Sequence, residues 1–136
     1  MILVDTSAWV EYDRATASSV DRRLTELIAS GDQVAVTEPV IMEVLAGART
    51  GRDEANLRRL LLRFELLGFD PAVDFDAGAR IYRSCRWVGI TPRGMVDCMI
   101  ASVAHRRRAA LLARDADLNR VADVVGIELD ETSRHL

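Results

Sequence analysis

Four acidic residues lie next to or inside short apolar segments, where a carboxylate is rarely found. Asp5 follows the opening apolar run, Glu43 lies within the apolar segment 40–45, and Asp97 and Asp115 also adjoin apolar residues. Burying an unpaired carboxylate costs several kcal/mol. Four such placements in a chain of 136 residues suggest that the four side chains share one partner. A divalent cation is the simplest partner for clustered carboxylates.

An ion held only by carboxylate oxygens points to Mg²⁺, with Mn²⁺ as a substitute. Such ions keep several bound waters and accept phosphate oxygens, so the expected chemistry is metal-assisted hydrolysis of a phosphodiester. We expect Asp5, Asp97 and Asp115 to bind the metal directly and Glu43 to bind it directly or through a water. All four are candidate catalytic residues.

Three further residues are candidates for a supporting role. Thr6 and Ser7 follow Asp5 directly, and their hydroxyls could hold a metal-bound water or a phosphate oxygen. Asp117 is a fifth acid that could assist the metal. Each has a structural alternative, because Ser7 could cap a helix over 7–13 and Asp117 could lie in the first turn of a helix.

The four principal acids have structural alternatives as well. Asp97 and Asp115 could be acids at helix N-termini, favoured by the helix dipole. Asp5 could form an Asx turn with Ser7. Glu43 is harder to explain, since its neighbours are core-type residues. Like charges about 5 Å apart repel by about 3 kcal/mol at an effective dielectric near 20, so a cluster of all four requires a cation.

The pattern of strands and helices predicts where these acids meet. Strand signals, apolar on both faces, lie near residues 2–5, 34–36, 111–113 and 127–129, with a weaker one at 68–72. Helical signals lie at 7–13, 18–30, 53–67, 94–108 and 116–125. Two further helices are predicted, one that begins at Thr37 and ends near Gly47 and Gly51, and one that runs from Asp74 toward Trp87. This order predicts an α/β fold, a three-layer α/β/α sandwich with a mostly parallel sheet of about five strands. Sites in such folds lie at the carboxyl ends of the strands, where Asp5 and Asp115 stand.

Composition limits the class of protein. The length fits a single domain over 1–136, and 49% apolar residues indicate a folded globule. The 18 basic residues are all arginine, which excludes mechanisms that need a lysine. No apolar run approaches the ~20 residues of a membrane span and no signal peptide is evident, so a cytoplasmic location is expected. Cys85 and Cys98 should pack as small hydrophobic residues, and neither His105 nor His135 forms a zinc spacing with them.

Four segments in order resemble the motifs of the PIN-domain family and, within it, of the VapC toxins of bacterial toxin–antitoxin pairs. The segments are Met1-Ile2-Leu3-Val4-Asp5-Thr6-Ser7, Thr37-Glu38-Pro39-Val40-Ile41-Met42-Glu43-Val44, Asp97-Cys98-Met99-Ile100-Ala101 and Arg114-Asp115-Ala116-Asp117-Leu118. The similarity covers the whole chain. One departure is Leu118, which stands where the family usually has an aromatic residue.

The resemblance implies an Mg²⁺-dependent endoribonuclease that cuts cellular RNA, often tRNA or ribosomal RNA, and inhibits translation. It places the family's acidic quartet on Asp5, Glu43, Asp97 and Asp115. It also implies a homodimer and a small VapB-like antitoxin whose tail inserts a basic residue among the acids. Leu62 and Leu66 lie off the main apolar stripe of their predicted helix and could form part of a groove for that partner.

Candidate RNA-binding residues are arginines near these motifs, namely Arg49, Arg52, Arg93 and Arg114. Phosphate contacts of this kind supply affinity without sequence choice. The run 106–108 ends a predicted helix and is better explained by the helix dipole. Trp9 and Trp87 could stack on a base, but packing in the core or at an interface is the preferred interpretation.

Two functions of other classes remain as alternatives. A phosphoacceptor receiver domain is also α/β with an acidic, Mg²⁺-binding edge, but it would need a lysine that this chain lacks. A metal-free interaction module would use the acids only to cap helices. Serine hydrolysis and nucleotide binding are poorly supported, because neither G-x-S-x-G nor G-x-x-x-x-G-K occurs in the chain.

Overall fold

A four-stranded parallel sheet forms the centre of the molecule, and helices flank it. The computed structural model describes residues 1–134, so His135 lies outside the described residues. The strands are β1 (Ile2–Val4), β2 (Val34–Val36), β3 (Glu65–Leu66) and β4 (Ala110–Leu112). The helices are α1 (Thr6–Asp13), α2 (Ser19–Ser30), α3 (Glu38–Ala46), α4 (Gly51–Leu61), α5 (Pro71–Trp87), α6 (Met95–Arg107) and α7 (Ala116–Val125), followed by a 3₁₀ turn at Glu131–Arg134.

The strand order is β3-β2-β1-β4, and every pairing is parallel. Strand β1 is central, with Leu3 aligned with Ala35 of β2 on one side and with Leu111 of β4 on the other. All three residues are fully buried. Parallel strands that are covered on both faces have no polar face, so each appears in the sequence as a continuous apolar run. This explains why β1, β2 and β4 were predicted from their apolar triplets. The predicted α/β fold with a parallel sheet is confirmed.

Within residues 1–134, the sheet has four strands rather than the expected five or so. The segment 127–129 contributes only one isolated bridge, between Leu111 and Leu129, although both side chains are buried. The weaker strand expected at 68–72 is wrong. The actual strand, β3, comes earlier and contains only Glu65 and Leu66, whose side chains are both exposed.

Two helix boundaries differ from the sequence prediction. Helix α4 begins at Gly51, with Thr50 as its N-cap, so Gly51 starts a helix rather than following one. It ends at Leu61 instead of continuing to residue 67. The helical spacing of apolar residues extends past Leu61 in the sequence only because Leu67, which follows β3, is also completely buried. Local spacing does not distinguish this path from two more helical turns.

Helix α5 also begins earlier than expected, with Asp70 as the N-cap and Pro71 in the first turn. Asp74 is not the cap. Its fully buried carboxylate accepts hydrogen bonds from Arg106 at 2.7 and 3.1 Å and from Ser102 at 3.1 Å. Arg106 thus joins α5 to α6, and it also lies in the last turn of α6, where the helix dipole favours a cation as expected.

The core contains the side chains that hold the sheet and helices together. Trp9 is buried and packs against Tyr12 and Phe64, as its core interpretation requires. Trp87, in contrast, is 80% exposed at the end of α5. Cys85 and Cys98 are free and buried, which confirms that they pack as small hydrophobic residues. Within residues 1–134, no helix is long and apolar enough to cross a membrane.

Candidate metal centre

Asp5 lies at the point where the central strand β1 passes into α1. It is 3% exposed and serves as the N-cap of α1. Its carboxylate accepts a hydrogen bond from the backbone N–H of Ser7 at 3.0 Å and one from the Ser7 hydroxyl at 2.6 Å. The cap therefore belongs to Asp5 and not to Ser7, and the Asx turn considered for Asp5 is present. These contacts fix the carboxylate at the carboxyl end of the sheet.

Asp115 lies three residues after the end of β4, the strand that pairs with β1. It is the N-cap of α7 and accepts hydrogen bonds from the backbone N–H groups of Asp117 at 2.9 Å and Leu118 at 3.3 Å. A guanidinium N–H of Arg93 donates to the same carboxylate oxygen at 2.9 Å. Because β1 and β4 are parallel neighbours, Asp115 shares the strand-end edge with Asp5.

Asp97 and Glu43 approach this edge from helices. Asp97 lies in the first turn of α6, whose N-cap is Gly94, and its side chain is half-buried. Glu43 lies in the second turn of α3, and its carboxylate accepts a hydrogen bond of 2.7 Å from the Thr6 hydroxyl. Thr6 thus connects Glu43 to the residue that follows Asp5.

Burial and neighbouring negative charges raise the pKa of two acids of the quartet, Asp5 and Asp97. Burial raises the pKa of Asp5 to about 6; the Ser7 hydrogen bonds oppose this rise, and the charges of Glu43 and Asp115 add to it. Burial likewise raises the pKa of Asp97 to about 7, and the charges of Asp5, Asp115 and Glu43 raise it further. Glu43 and Asp115 therefore act on both Asp5 and Asp97, and Asp5 acts on Asp97. A metal site shared by these four residues stays a prediction.

The carboxylates do not converge on a common point. Within residues 1–134, no three Asp, Glu, His or Cys side chains are positioned to hold one ion. Their oxygens are engaged with internal donors instead: Glu43 with Thr6, and Asp115 with Arg93. The residues fit a hard divalent cation in donor type, because all are carboxylates, and in charge, because the neighbouring negative charges raise the pKa of Asp5 and of Asp97.

The supporting residues have clear structural contacts. The Ser7 hydroxyl donates to Asp5 and accepts a 2.9 Å hydrogen bond from the backbone N–H of Arg114, so it joins α1 to the segment before α7. Asp117 is buried in the first turn of α7, and its carboxylate accepts a 3.0 Å hydrogen bond from the backbone N–H of Arg93. This contact agrees with the structural alternative for Asp117.

The four candidate RNA-binding arginines differ in their surroundings. Arg49 and Arg52 are exposed near the start of α4. Arg93 contacts Asp115, and Arg114 forms an ion pair with Glu11. Contact of these residues with RNA stays a prediction.

A cavity of about 360 Å³ between α1, α3 and α4 adjoins the acidic region. Glu43 and Arg49 are among its lining residues. Arg14 also lines it and was not identified from the sequence, because nothing local distinguishes it from a surface charge. The cavity therefore places two arginines beside one member of the acidic quartet.

Comparison with known proteins agrees with this geometry. The family model of the PIN domain matches residues 2–124. Ribonuclease VapC11 of Mycobacterium tuberculosis (strain ATCC 25618 / H37Rv) is 43% identical over 132 residues, which cover 94% of this chain and 96% of that protein.

Two solved structures share the fold. VapBC2 from Rickettsia felis, bound to a DNA fragment from its promoter, has a TM-score of 0.74 at 21% identity and covers 96% of this chain and 98% of that one. Mycobacterium tuberculosis VapC20, a Sarcin-Ricin loop cleaving toxin, has a TM-score of 0.65 at 19% identity and covers 88% of this chain and 93% of that one. The family match spans most of the chain, and the identity to VapC11 extends over nearly all of it. The chain therefore belongs to the PIN-domain family and, within it, to the VapC group.

Proposed function

We propose that the chain is an Mg²⁺-dependent endoribonuclease toxin of a VapBC pair. The observation that carries this proposal is the set of four carboxylates from separate segments that lie at one edge of the sheet, where the charges of Glu43 and Asp115 raise the pKa of Asp5 and of Asp97. A fold that gathers such charges without neutralising them is destabilised by their repulsion. A divalent cation removes that repulsion. The ribonuclease name of the 43% identical relative supports the same activity.

We assign the following roles to the residues of the quartet. Asp5, Asp97 and Asp115 would hold the ion directly, and Glu43 would hold it directly or through a water. When bound, Mg²⁺ would lower the pKa of a coordinated water and neutralise charge on the phosphodiester. Thr6 orients Glu43 by its 2.7 Å hydrogen bond.

The positions of Asp5 and of the RNA strand depend on neighbouring groups. Ser7 orients Asp5 through two hydrogen bonds, so the carboxylate need not reorganise when an ion approaches. Arg49 and Arg52, which are exposed, would contact the phosphates of the bound RNA. Arg114 would take part as well if RNA competes with Glu11 for its guanidinium.

The substrate we propose is cellular RNA, either tRNA or ribosomal RNA, whose cleavage inhibits translation. Cleavage of the sarcin–ricin loop is named for VapC20, which shares the fold. Sequencing the new RNA ends that appear after brief induction in cells would identify the target. Ends at one position in one RNA would support a specific toxin, whereas scattered ends in all RNA would contradict it.

The partner we propose is a small VapB-like antitoxin, and the assembly we propose is a homodimer. The Rickettsia felis structure contains VapB and VapC together, which supports the pairing. On this chain, Leu62 is 67% exposed and Leu66 is 49% exposed, so both are available for an apolar contact. Leu62→Ser should weaken antitoxin binding without changing cleavage by the free toxin. The same substitution at Val88, 63% exposed at the end of α5, is the matched control.

The experiment that tests the activity compares two variants that each lose one negative charge. Asp97→Asn removes a member of the quartet, and Asp123→Asn removes an exposed carboxylate on α7. Purified protein is incubated with a fluorogenic RNA in Mg²⁺ and, separately, in EDTA. We expect the wild type and Asp123→Asn to cleave RNA only with Mg²⁺, and Asp97→Asn to be inactive. Full cleavage by Asp97→Asn or in EDTA would refute the proposal.

Titration with Mn²⁺ in a calorimeter separates this function from the metal-free interaction module. The internal hydrogen bonds of Asp5 and Asp115 are what such a module would use to cap its helices. Binding that is lost in Asp97→Asn favours the nuclease. If the wild type binds no Mn²⁺ at neutral pH, the metal-free interaction module is the favoured function.

A further inference from the structure

Arg93 contacts the acidic region in two different ways. A side-chain N–H donates to the Asp115 carboxylate at 2.9 Å, and the guanidinium Nε lies 3.7 Å from the Asp117 carboxylate. The backbone N–H of Arg93 donates independently to Asp117 at 3.0 Å. The backbone contact fixes the segment before α6 against the start of α7. The side-chain contact places a positive charge on a proposed metal ligand.

The arrangement is specific to Arg93. Arg114, which precedes Asp115 in the chain, pairs with Glu11 instead. Arg120 lies 3.5 Å from Asp117 but has no contact with Asp115 within 4.0 Å in the described part of the chain. Arg93 is therefore the arginine that engages a member of the quartet within residues 1–134. Its side chain is 73% exposed, so the guanidinium can leave Asp115 at little steric cost.

We propose that Arg93 is a built-in counter-ion of the metal-free protein, which the divalent cation must displace from Asp115. This inference rests on the proposed function. It accounts for two observations together: the Arg93 guanidinium donates to Asp115 at 2.9 Å, and no three of the acids in residues 1–134 are positioned to hold an ion. In the metal-free state the guanidinium offsets part of the repulsion and draws the Asp115 oxygen toward itself. In the metal-bound state the displaced guanidinium is free to contact the RNA phosphate.

The proposal predicts the sign of a change in metal affinity. The ion must break the Arg93–Asp115 pair, which is exposed, and a pair of that kind is worth about two- to fivefold in a binding constant. Arg93→Gln removes the charge and shortens the side chain, and it retains the backbone hydrogen bond to Asp117. This variant should bind Mn²⁺ about two- to fivefold more tightly than the wild type. A residue that merely orients Asp115 for the metal would give the opposite sign, because its loss would weaken binding.

Calorimetric titration of Mn²⁺ into the full-length protein, at low ionic strength and without RNA, measures this change. Arg93→Lys keeps the charge and should bind Mn²⁺ as the wild type does. Arg120→Gln loses a charge beside Asp117 but not on Asp115, and should also match the wild type. The gain in Arg93→Gln should shrink at high salt, where screening weakens the Arg93–Asp115 ion pair that the metal must break. Unchanged or weaker Mn²⁺ binding in Arg93→Gln would overturn the proposal.

A second measurement follows the side chain itself. In an NMR titration with Mg²⁺, the Nε–H signal of Arg93 should shift with the same midpoint as metal binding, and the Arg120 signal should not. An Arg93 signal that stays fixed while metal binds would overturn the displacement. Failure of the proposed function looks different: the wild type would bind no Mn²⁺ at all, whereas failure of this inference alone leaves wild-type binding intact and Arg93→Gln no tighter.

Discussion

Asp97→Asn should stabilise the metal-free protein above neutral pH. The pKa of Asp97 is raised from its ordinary value of 3.8 to about 7 by burial and by the neighbouring carboxylates, so the fold disfavours its charged form. No hydrogen bond to the Asp97 side chain occurs within residues 1–134, so the amide loses no partner there. The substitution therefore removes a destabilising charge with little compensating loss.

The magnitude follows from linkage between protonation and folding. The difference between 3.8 and about 7 corresponds to an upper limit of about 4 kcal/mol in the free energy of unfolding. Asp97 is half-buried and its charge is screened by solvent, so we expect a gain of about 2 kcal/mol. Because the folded protein holds the proton more tightly than the unfolded chain, stability falls as the pH rises from about 4 to about 7. The gain from Asp97→Asn should therefore be full at pH 8 and absent near pH 4.

Urea denaturation in EDTA, followed by tryptophan fluorescence, measures this gain. Trp9 is buried against Phe64 and reports unfolding, whereas Trp87 is exposed in the folded state and contributes little change. Asp123→Asn, on an exposed position of α7, should change stability by less than about 0.5 kcal/mol. A gain of equal size at pH 4 and pH 8, or no gain at pH 8, would refute the account of Asp97.

Three further outcomes follow from the structure. Asp74→Ala should destabilise the fold by about 3 kcal/mol at pH 7, because it leaves Arg106 without its buried partner. Burial raises the pKa of Asp74, but the hydrogen bonds from Arg106 and other donors outweigh burial and lower it, so the pair stabilises the fold above pH 4. The loss should therefore become smaller when urea melts are repeated toward pH 2. Gly78→Ala in α5 should raise stability by about 0.5–1 kcal/mol in the same assay, because alanine favours the helix and its Cβ would lie at an ordinary contact distance of 3.7 Å from the Cys98 carbonyl oxygen. A loss of stability would show that α5 and α6 pack more tightly than described. Mn²⁺ at 100 times its dissociation constant should stabilise the wild type by about 2.7 kcal/mol in a thermal melt and should not change the stability of Asp97→Asn. Equal shifts in both proteins would mean that the ion binds elsewhere.

The sequence predicted those parts of the fold that depend on local signals. Strands β1, β2 and β4 are apolar triplets and were therefore readable, and Asp5 follows β1 directly, whereas Asp115 comes three residues after β4. Strand β3 was missed because it is only two residues long and both of its residues, Glu65 and Leu66, are exposed. The segment 127–129 has the same apolar character as a strand but makes one bridge only.

The partners of the acids could not be predicted, because they are distant along the chain. Thr6 and Glu43 are 37 residues apart, and Arg93 and Asp115 are 22 residues apart. Neither pair lies within one helix or one strand pairing, where spacing rules would apply. Sequence reasoning therefore identified the acids but gave Arg93 a role toward RNA, without its contact to Asp115.

The most direct test of the central claim is a crystal structure of the wild-type protein soaked in Mn²⁺, with anomalous diffraction recorded to locate the ion. We expect an anomalous peak among the carboxylates of Asp5, Asp97 and Asp115, with the Arg93 guanidinium withdrawn from Asp115. A crystal that takes up Mn²⁺ elsewhere, while these three carboxylates contact no ion, would contradict the account.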